Sequence, residues 1–322
     1  MSATRTSQTA TATGSTPRDT AAADRAQRRL QRSGDWARRM PLLPALVFTI
    51  VLTQLPFVAT IIVSFMRWNA YFPEERGFAG LNNFAKVFTD TNTRKAVLVT
   101  IVLTTAVVLL SLLIGLLIAL LLDRQFRGRS LVRTMMITPF LVVPVAAALL
   151  WKHALYNPEY GLLNGLLTAV FGADAPQPDW ITSNPLISVI VALVWQWTPF
   201  MMLILLAGLQ SRPLDVVEAA RIDGASPWQI FTHMTLPHLR QYIELAGLLG
   251  AIYVVQNFDH VFTITAGGLG TANLPYFIYQ TFYTAHDYGR ASAAGVVVVL
   301  GTLILATAAL RTVFSLFKEE NR

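Results

Sequence analysis

Six long apolar blocks constrain this chain more than any other feature of its sequence. They cover residues 41–66, 96–122, 135–151, 186–210, 241–265 and 291–310. A helix rises about 1.5 Å per residue, so crossing the roughly 30 Å of bilayer hydrocarbon takes about 20 residues. Most of the blocks are of that order. The chain is 54% hydrophobic and 13% charged, with a mean hydropathy of +0.50, which is more apolar surface than a soluble chain of 322 residues can hide. The runs are continuous, whereas membrane strands alternate apolar and polar residues over about ten positions. The expectation is an all-α polytopic membrane protein with six transmembrane helices. The third block is the shortest and carries Pro139 and Pro144. It is expected to kink, with neighbouring helices satisfying the backbone groups that the prolines free.

The chain has no cysteine, which excludes disulfide frameworks, thiol nucleophiles and thiolate metal sites. Residues 1–40 are rich in Thr, Ala, Ser and Arg and hold no apolar core, so they are not expected to form a secretory signal peptide. They are expected to be a disordered tail, followed by a six-helix domain over 41–317 and a short tail over 318–322. With both termini on the inner side, 18 of the 25 Lys and Arg residues fall in inner segments and the remainder in outer ones. Positive charge is retained on the cytoplasmic side, so both termini are expected there. This asymmetry accounts for the net charge of +7 without a nucleic-acid partner. The outer segments, 67–95, 152–185 and 266–290, are too short for a catalytic domain. The second and third are turn-rich, with Pro158, Pro176, Pro178 and Pro185 in one and Gly267, Gly268 and Gly270 in the other.

Residues 211–238, between the fourth and fifth blocks, have their own helix punctuation. Pro213 suits a first helical position, and Asp215 with Glu218 has capping-box spacing. Gly224 would end that helix. Ser226, Pro227 and Gln229 signal a second start, and Leu236 with Pro237 would stop it. The result is two short helices with apolar positions at Val217, Ala220, Ile222, Trp228, Ile230 and Phe231. Such a knob either fills a groove in a partner protein or lies on lipid headgroups as an amphipathic hairpin.

Glu218, Ala219, Ala220, Gly224, Leu236 and Pro237 resemble the EAA signature of permeases of ATP-binding-cassette importers, with Met234 where that signature usually has Ile. Gly80, Leu81, Asn82, Asn83 and Phe84 are similar to a Gly-Leu-x-Asn-Phe element of carbohydrate importer permeases. Phe258, Asp259, Thr265, Gly267 and Gly268 resemble the end of that family's fifth helix. The similarity covers roughly 41–317 and is to the maltose and glycerol-phosphate type, with 273–295 looking nearest to polyol transporters.

The resemblance implies a type I importer permease fold that carries a sugar or sugar alcohol and couples to a separate ATPase. The coupling set would be Glu218, Ala219, Ala220, Asp223, Gly224, Trp228, Leu236 and Pro237. Implied partners are a second permease subunit in a heterodimer, a dimeric cytoplasmic ATPase holding ATP and Mg, an extracellular solute-binding protein and membrane lipid. No cofactor is expected on this chain.

A sugar presents C–H faces to aromatic rings and hydroxyls to amides. Trp195, Gln196, Trp197 and Thr198 lie near mid-membrane depth and supply both, although the Trp rings could equally pack on the partner subunit. Tyr253, Gln256, Asn257 and His260 are expected on one helical face toward the outer leaflet, lining a vestibule. Asp259 reads as structural, and Arg240 with Glu244 as an interfacial anchor.

The chain has no Gly-Lys pair, hence no phosphate-cradling loop, and no His-Glu-x-x-His pattern. A secondary transporter would want inverted repeats and ion-coordinating acids, and a membrane enzyme a convergent acid, base or metal set. The first four blocks carry no charged residue in their interiors.

Overall fold

The computed structural model describes residues 40–319. The expected disordered tail over 1–40 and the end of the 318–322 tail therefore lie outside the described residues, apart from Met40, Lys318 and Glu319.

The chain divides into two units, Met1–Ala59 and Thr60–Arg322. The first contributes most of α1 (Leu43–Ser64), which is apolar on every side and leaves Leu46, Phe48, Leu52 and Leu55 exposed. A helix with no polar face is suited to hydrocarbon.

The second unit begins with the end of α1 and a two-stranded antiparallel ribbon, β1 (Met66–Arg67) with β2 (Gly77–Phe78), in which Met66 faces Phe78. Helices α2 (Asn82–Thr89) and α3 (Thr91–Asp123) follow. The buried Asn83 amide donates to the carbonyls of Ser64 (2.9 Å) and Met66 (2.8 Å), and Phe84 packs on Phe65. The Gly-Leu-x-Asn-Phe element thus satisfies the carbonyls left open where the first span ends.

After α3 come α4 (Arg129–Leu141), α5 (Pro144–Leu149) with a π turn over Leu150–Leu155, α6 (Leu162–Phe171), α7 (Trp180–Ser183) and α8 (Pro185–Gln210). The chain continues through α9 (Leu214–Ile222), α10 (Pro227–Ile230) with a π turn over Phe231–Thr235, α11 (Leu236–Val255), α12 (Leu274–Tyr279) and α13 (Tyr288–Glu319).

The core is the contact between α3 and α8. At Gly115 the two backbones approach closely, and an added Cβ would lie 3.0 Å from the Met202 nitrogen and 3.3 Å from the Thr198 carbonyl oxygen. Leu193, Met201, Met202, Leu205 and Leu206 are wholly buried along α8. An arginine and an aspartate meet at each end of α3. Asp90 caps its N-terminus through the Thr93 N–H (2.8 Å) and pairs with Arg290 at 2.8 Å, while Asp123, its last residue, pairs with Arg212 at 3.2 Å. Burial pushes the Asp90 carboxyl up, but Thr93 and the Arg290 guanidinium outweigh it and hold it below 3.8.

Three stretches are long and apolar enough to cross a membrane as single helices: Met40–Ser64, Thr91–Asp123 and Pro185–Gln210. The α4 and α5 pair makes a fourth only as a broken span, bent by 96°. This exceeds the expected kink. Pro144 disfavours helical geometry before it, and Val142 (ψ 133) and Val143 (ψ 133) are accordingly extended. The predicted fifth and sixth spans fall short of the same measure among the described residues. α11 opens with His238, Arg240 and Glu244 and ends at Val255, and the described apolar part of α13 is Tyr288–Ile304.

The expected continuous fifth helix is therefore corrected. Its break at Gln256 to Phe258 is held by Asn273, whose amide donates to the Asn257 carbonyl while its oxygen accepts from the Tyr276 N–H at 3.1 Å. Beyond the break the chain forms a π turn over Val261–Thr265. The left-handed residues Ala266, Gly267, Leu269 and Gly270 follow.

Candidate functional site

The two-helix loop over 211–238 exists, with different punctuation at its two outer ends. Pro213 is the N-cap of α9 rather than its first residue, and no side chain caps that end, so the expected Asp215 and Glu218 capping box does not form. Asp215 instead places a carboxylate in the first turn, where the helix dipole favours it. The corner is a Schellman closure: Ala225 N–H donates to the Ala220 carbonyl (2.9 Å) and Gly224 N–H to that of Arg221 (3.1 Å). Gly224 has φ +86, and an added Cβ would meet nothing within 4 Å, so the position needs glycine for its backbone alone.

Ser226 then starts α10 with a complete capping box. Its N–H donates to Gln229 Oε1 (2.8 Å), and Gln229 N–H donates to Ser226 Oγ (3.3 Å). Leu236 and Pro237 do not stop this helix, contrary to expectation. A π turn carries the chain straight into α11, and Pro237 sits in the first turn of α11, where its missing N–H needs no partner.

Around this frame the loop turns Val217 and Ile230 inward and leaves Ile222 86% and Trp228 71% exposed, beside an exposed Glu218 and Asp223. The Trp228 and Phe231 rings lie 5.7 Å apart. The corner thus displays large apolar side chains next to carboxylates.

The base of the loop is stapled. Arg212 donates to Asp123 (3.2 Å) and to Thr235 Oγ1 (2.8 Å), joining the ends of α8 and α3 to the residue before α11. Ser211 Oγ lies 2.8 Å from the Tyr242 hydroxyl and 3.2 Å from His238 Nε2. Neither Arg212 nor Thr235 stood out in the sequence. Their signal was present only as polar residues flanking the capped helices.

The second candidate group separates into parts. Trp197 stacks on Tyr253 at 5.5 Å and meets Phe140 and Phe200 edge-on, and Tyr253 is 57% exposed. Gln196 is buried, and its amide donates to the Val142 carbonyl (2.9 Å) at the break of the bent span. A side chain read as substrate-facing thus satisfies one of the backbone groups freed by the α4 and α5 break. Trp195 packs edge-on to Trp151 at 5.9 Å, and with Thr198 it lines an apolar cavity of about 330 Å³ between α3, α4 and α8.

Tyr253, Gln256, Asn257 and His260 do not share one helical face, because the helix ends between the first and second of them. Gln256 donates back to Ile252 (3.1 Å), and Asn257 meets the wholly buried His260 at 3.3 Å. Gly267 is fixed by contact as well as by its φ of +65, since a Cβ there would lie 2.1 Å from the Tyr276 ring. Among the described residues no cluster of three or more His, Asp or Glu could hold a metal.

A tightly packed pair of membrane-length helices with a capped two-helix loop following the second is the arrangement of the type I importer permease fold. A solved bacterial ABC transporter for import of the acidic polysaccharide alginate aligns with a TM-score of 0.75 over 90% of this chain and 99% of that one, at 21% identity. Residues 111–316 match the family model described as binding-protein-dependent transport system inner membrane component, and the chain belongs to that family. It is 35% identical over 82% of its length to "Probable ABC transporter permease protein y4oQ" of Sinorhizobium fredii, covering 85% of that protein. It is 33% identical over 79% of its length to the trehalose/maltose transport system permease protein MalF of Thermococcus litoralis, covering 86% of it. It is thus a multi-pass membrane protein of a transport system.

Proposed function

We propose that this chain is the permease subunit of a binding-protein-dependent ABC importer for a sugar or sugar alcohol, and that loop 211–238 docks on a separate cytoplasmic ATPase. The observation that carries the reading is the rigid, doubly capped loop with Ile222 and Trp228 exposed beside Glu218. Transmission between proteins requires a contact whose free energy differs between two states of the subunit. A loop closed by a Schellman corner and a capping box moves as one piece, so a push on it reaches the helices at its base.

The partners in this reading are a second, different permease subunit, a dimeric ATPase that holds ATP and Mg, and an extracellular solute-binding protein. Both termini are cytoplasmic, following the Lys and Arg asymmetry. The substrate class rests on relatives named for trehalose and maltose transport, together with the exposed face of the Trp197 and Tyr253 stack. Flat rings of this kind suit the C–H face of a sugar.

The test is uptake of radiolabelled trehalose, maltose and polyols by vesicles holding the full assembly. Glu218→Lys combined with Gly224→Pro is expected to abolish ATPase co-purification and uptake. Unchanged assembly and uptake would reject the docking role. Trp197→Ala is expected to lower uptake at least tenfold while leaving sugar binding by the solute-binding protein unchanged, and unaltered uptake would remove the stack from the pathway.

A further inference from the structure

We infer that α3 is the stiff lever that carries loop movement across the membrane, and that Arg212 is the positioning residue that fastens the loop to it. The inference rests on the proposed docking of the loop, and it adds where the motion goes. α3 has 33 residues and no proline. At about 1.5 Å per residue it is roughly 50 Å long, enough to emerge from both faces of a bilayer about 40–45 Å thick with its headgroups. Each emerging end is held by one arginine, Arg290 at Asp90 and Arg212 at Asp123.

The two pairs differ in kind. Asp90 serves its own helix, since an N-terminal carboxylate caps the free N–H groups and favours the dipole. Asp123 does the reverse. A carboxylate in the last turn faces the negative end of the dipole and weakens the helix that carries it. Its placement makes sense through Arg212, whose guanidinium also grips Thr235 at 2.8 Å. One side chain therefore ties α3, α8 and the start of α11 at the base of the docking loop. Arg212 and Asp123 are largely screened from water, at 17% and 25% side-chain exposure, which strengthens the pair relative to a surface contact. The Arg212 Nε is buried without a partner, so the guanidinium retains a donor for a second arrangement of the loop.

At its far end the lever reaches the start of α13 through Arg290, and Gly115, about two turns from the Asp123 end, locks it against α8. A displacement of the loop then moves α3 and α8 together, and Asp90 moves with them.

This chain has no cysteine, so a single introduced thiol is unique within it and its labelling can be read on this subunit alone after separation from its partners. Lys95→Cys in the full assembly places one near the outer end of α3. Its labelling rate is expected to change at least threefold between the ATP-free and vanadate-trapped states. Arg212→Gln is expected to keep the ATPase co-purifying at normal yield, to erase that labelling change, and to lower uptake per ATP hydrolysed at least tenfold. The exchange of Asp123→Arg with Arg212→Asp is expected to restore much of the coupling, and a melting temperature of Arg212→Gln equal to that of the unaltered protein separates lost coupling from lost fold. If Arg212→Gln retains both the labelling change and the coupling ratio, the lever is wrong even where docking stands. If instead the ATPase remains bound after Glu218→Lys with Gly224→Pro, it is the docking reading that fails.

Discussion

The second and fourth apolar blocks form single unbroken helices, and the third and fifth do not. α3 and α8 run unbroken for 33 and 26 residues, although α8 contains Pro199. The third block bends by 96°, and the helix of the fifth stops at Val255. The third block is uncharged like the second and fourth, so apolarity alone does not decide its break, whereas the fifth is more polar and carries Glu244, Gln256, Asn257, Asp259 and His260. Side chains from elsewhere hold both breaks. Gln196 satisfies the carbonyl opened at Val142, and Asn273 does the same for Asn257. A membrane helix breaks where another element supplies a hydrogen bond, because an unsatisfied backbone group in hydrocarbon is costly. The molecule thus pairs two stiff rods with two elements whose breaks are pinned by single amides.

This contrast can be attacked directly. Gly115→Leu wedges the rods apart where their backbones approach closely and is expected to destabilise the protein by about 3 kcal/mol, seen as a lowered melting temperature in detergent. A change within error would show that the rods are not locked there. Gln196→Leu removes the amide from the bent span and leaves the Val142 carbonyl unpaired, at about 1–3 kcal/mol. Hydrogen exchange should quicken for residues 142–147 and stay unaltered in α3, and equal quickening in both would dissolve the distinction between rod and break.

The Asp90 end of α3 yields a pH test. Its folded-state carboxyl lies below 3.8, so its contribution is fully present above that value and is lost as pH falls through the depressed one. Asp90→Asn is expected to flatten the acid limb of the melting-temperature profile below about pH 4. An unchanged acid limb would place that sensitivity elsewhere. The smallest effect has the opposite sign. Gly165 lies within α6, and a methyl group added there would meet nothing within 4 Å, so Gly165→Ala should stabilise by about 0.5–1 kcal/mol. A melting temperature that falls on this substitution would show that α6 is not a simple exposed helix.

The sequence carried the helical class, the unbroken blocks and the Ser226 to Gln229 cap, because each is written in contiguous residues. The breaks were less legible. Pro139 and Pro144 suggested a kink, but the size of the bend depends on Gln196, 54 positions from the carbonyl it satisfies. The periodicity of Tyr253, Gln256, Asn257 and His260 is helical on paper, and nothing local announces that Asn273 will reward a break between them. Leu236 and Pro237 misled for a related reason: a proline marks a helix boundary without saying which side of it is helical. Here it opens α11. The Arg212 and Asp123 pair, 89 residues apart, is invisible to any local pattern.

Ile222 and Trp228 have a consequence for the life of the protein in a cell. A newly made copy presents both to water until something covers them. Exposed apolar patches of this sort drive self-association and attract the surveillance that removes incomplete assemblies. On the proposed docking, synthesis is matched in number to the ATPase that covers that corner, and surplus copies are expected to be short-lived. The same two side chains make the subunit's abundance a report on the supply of its counterpart.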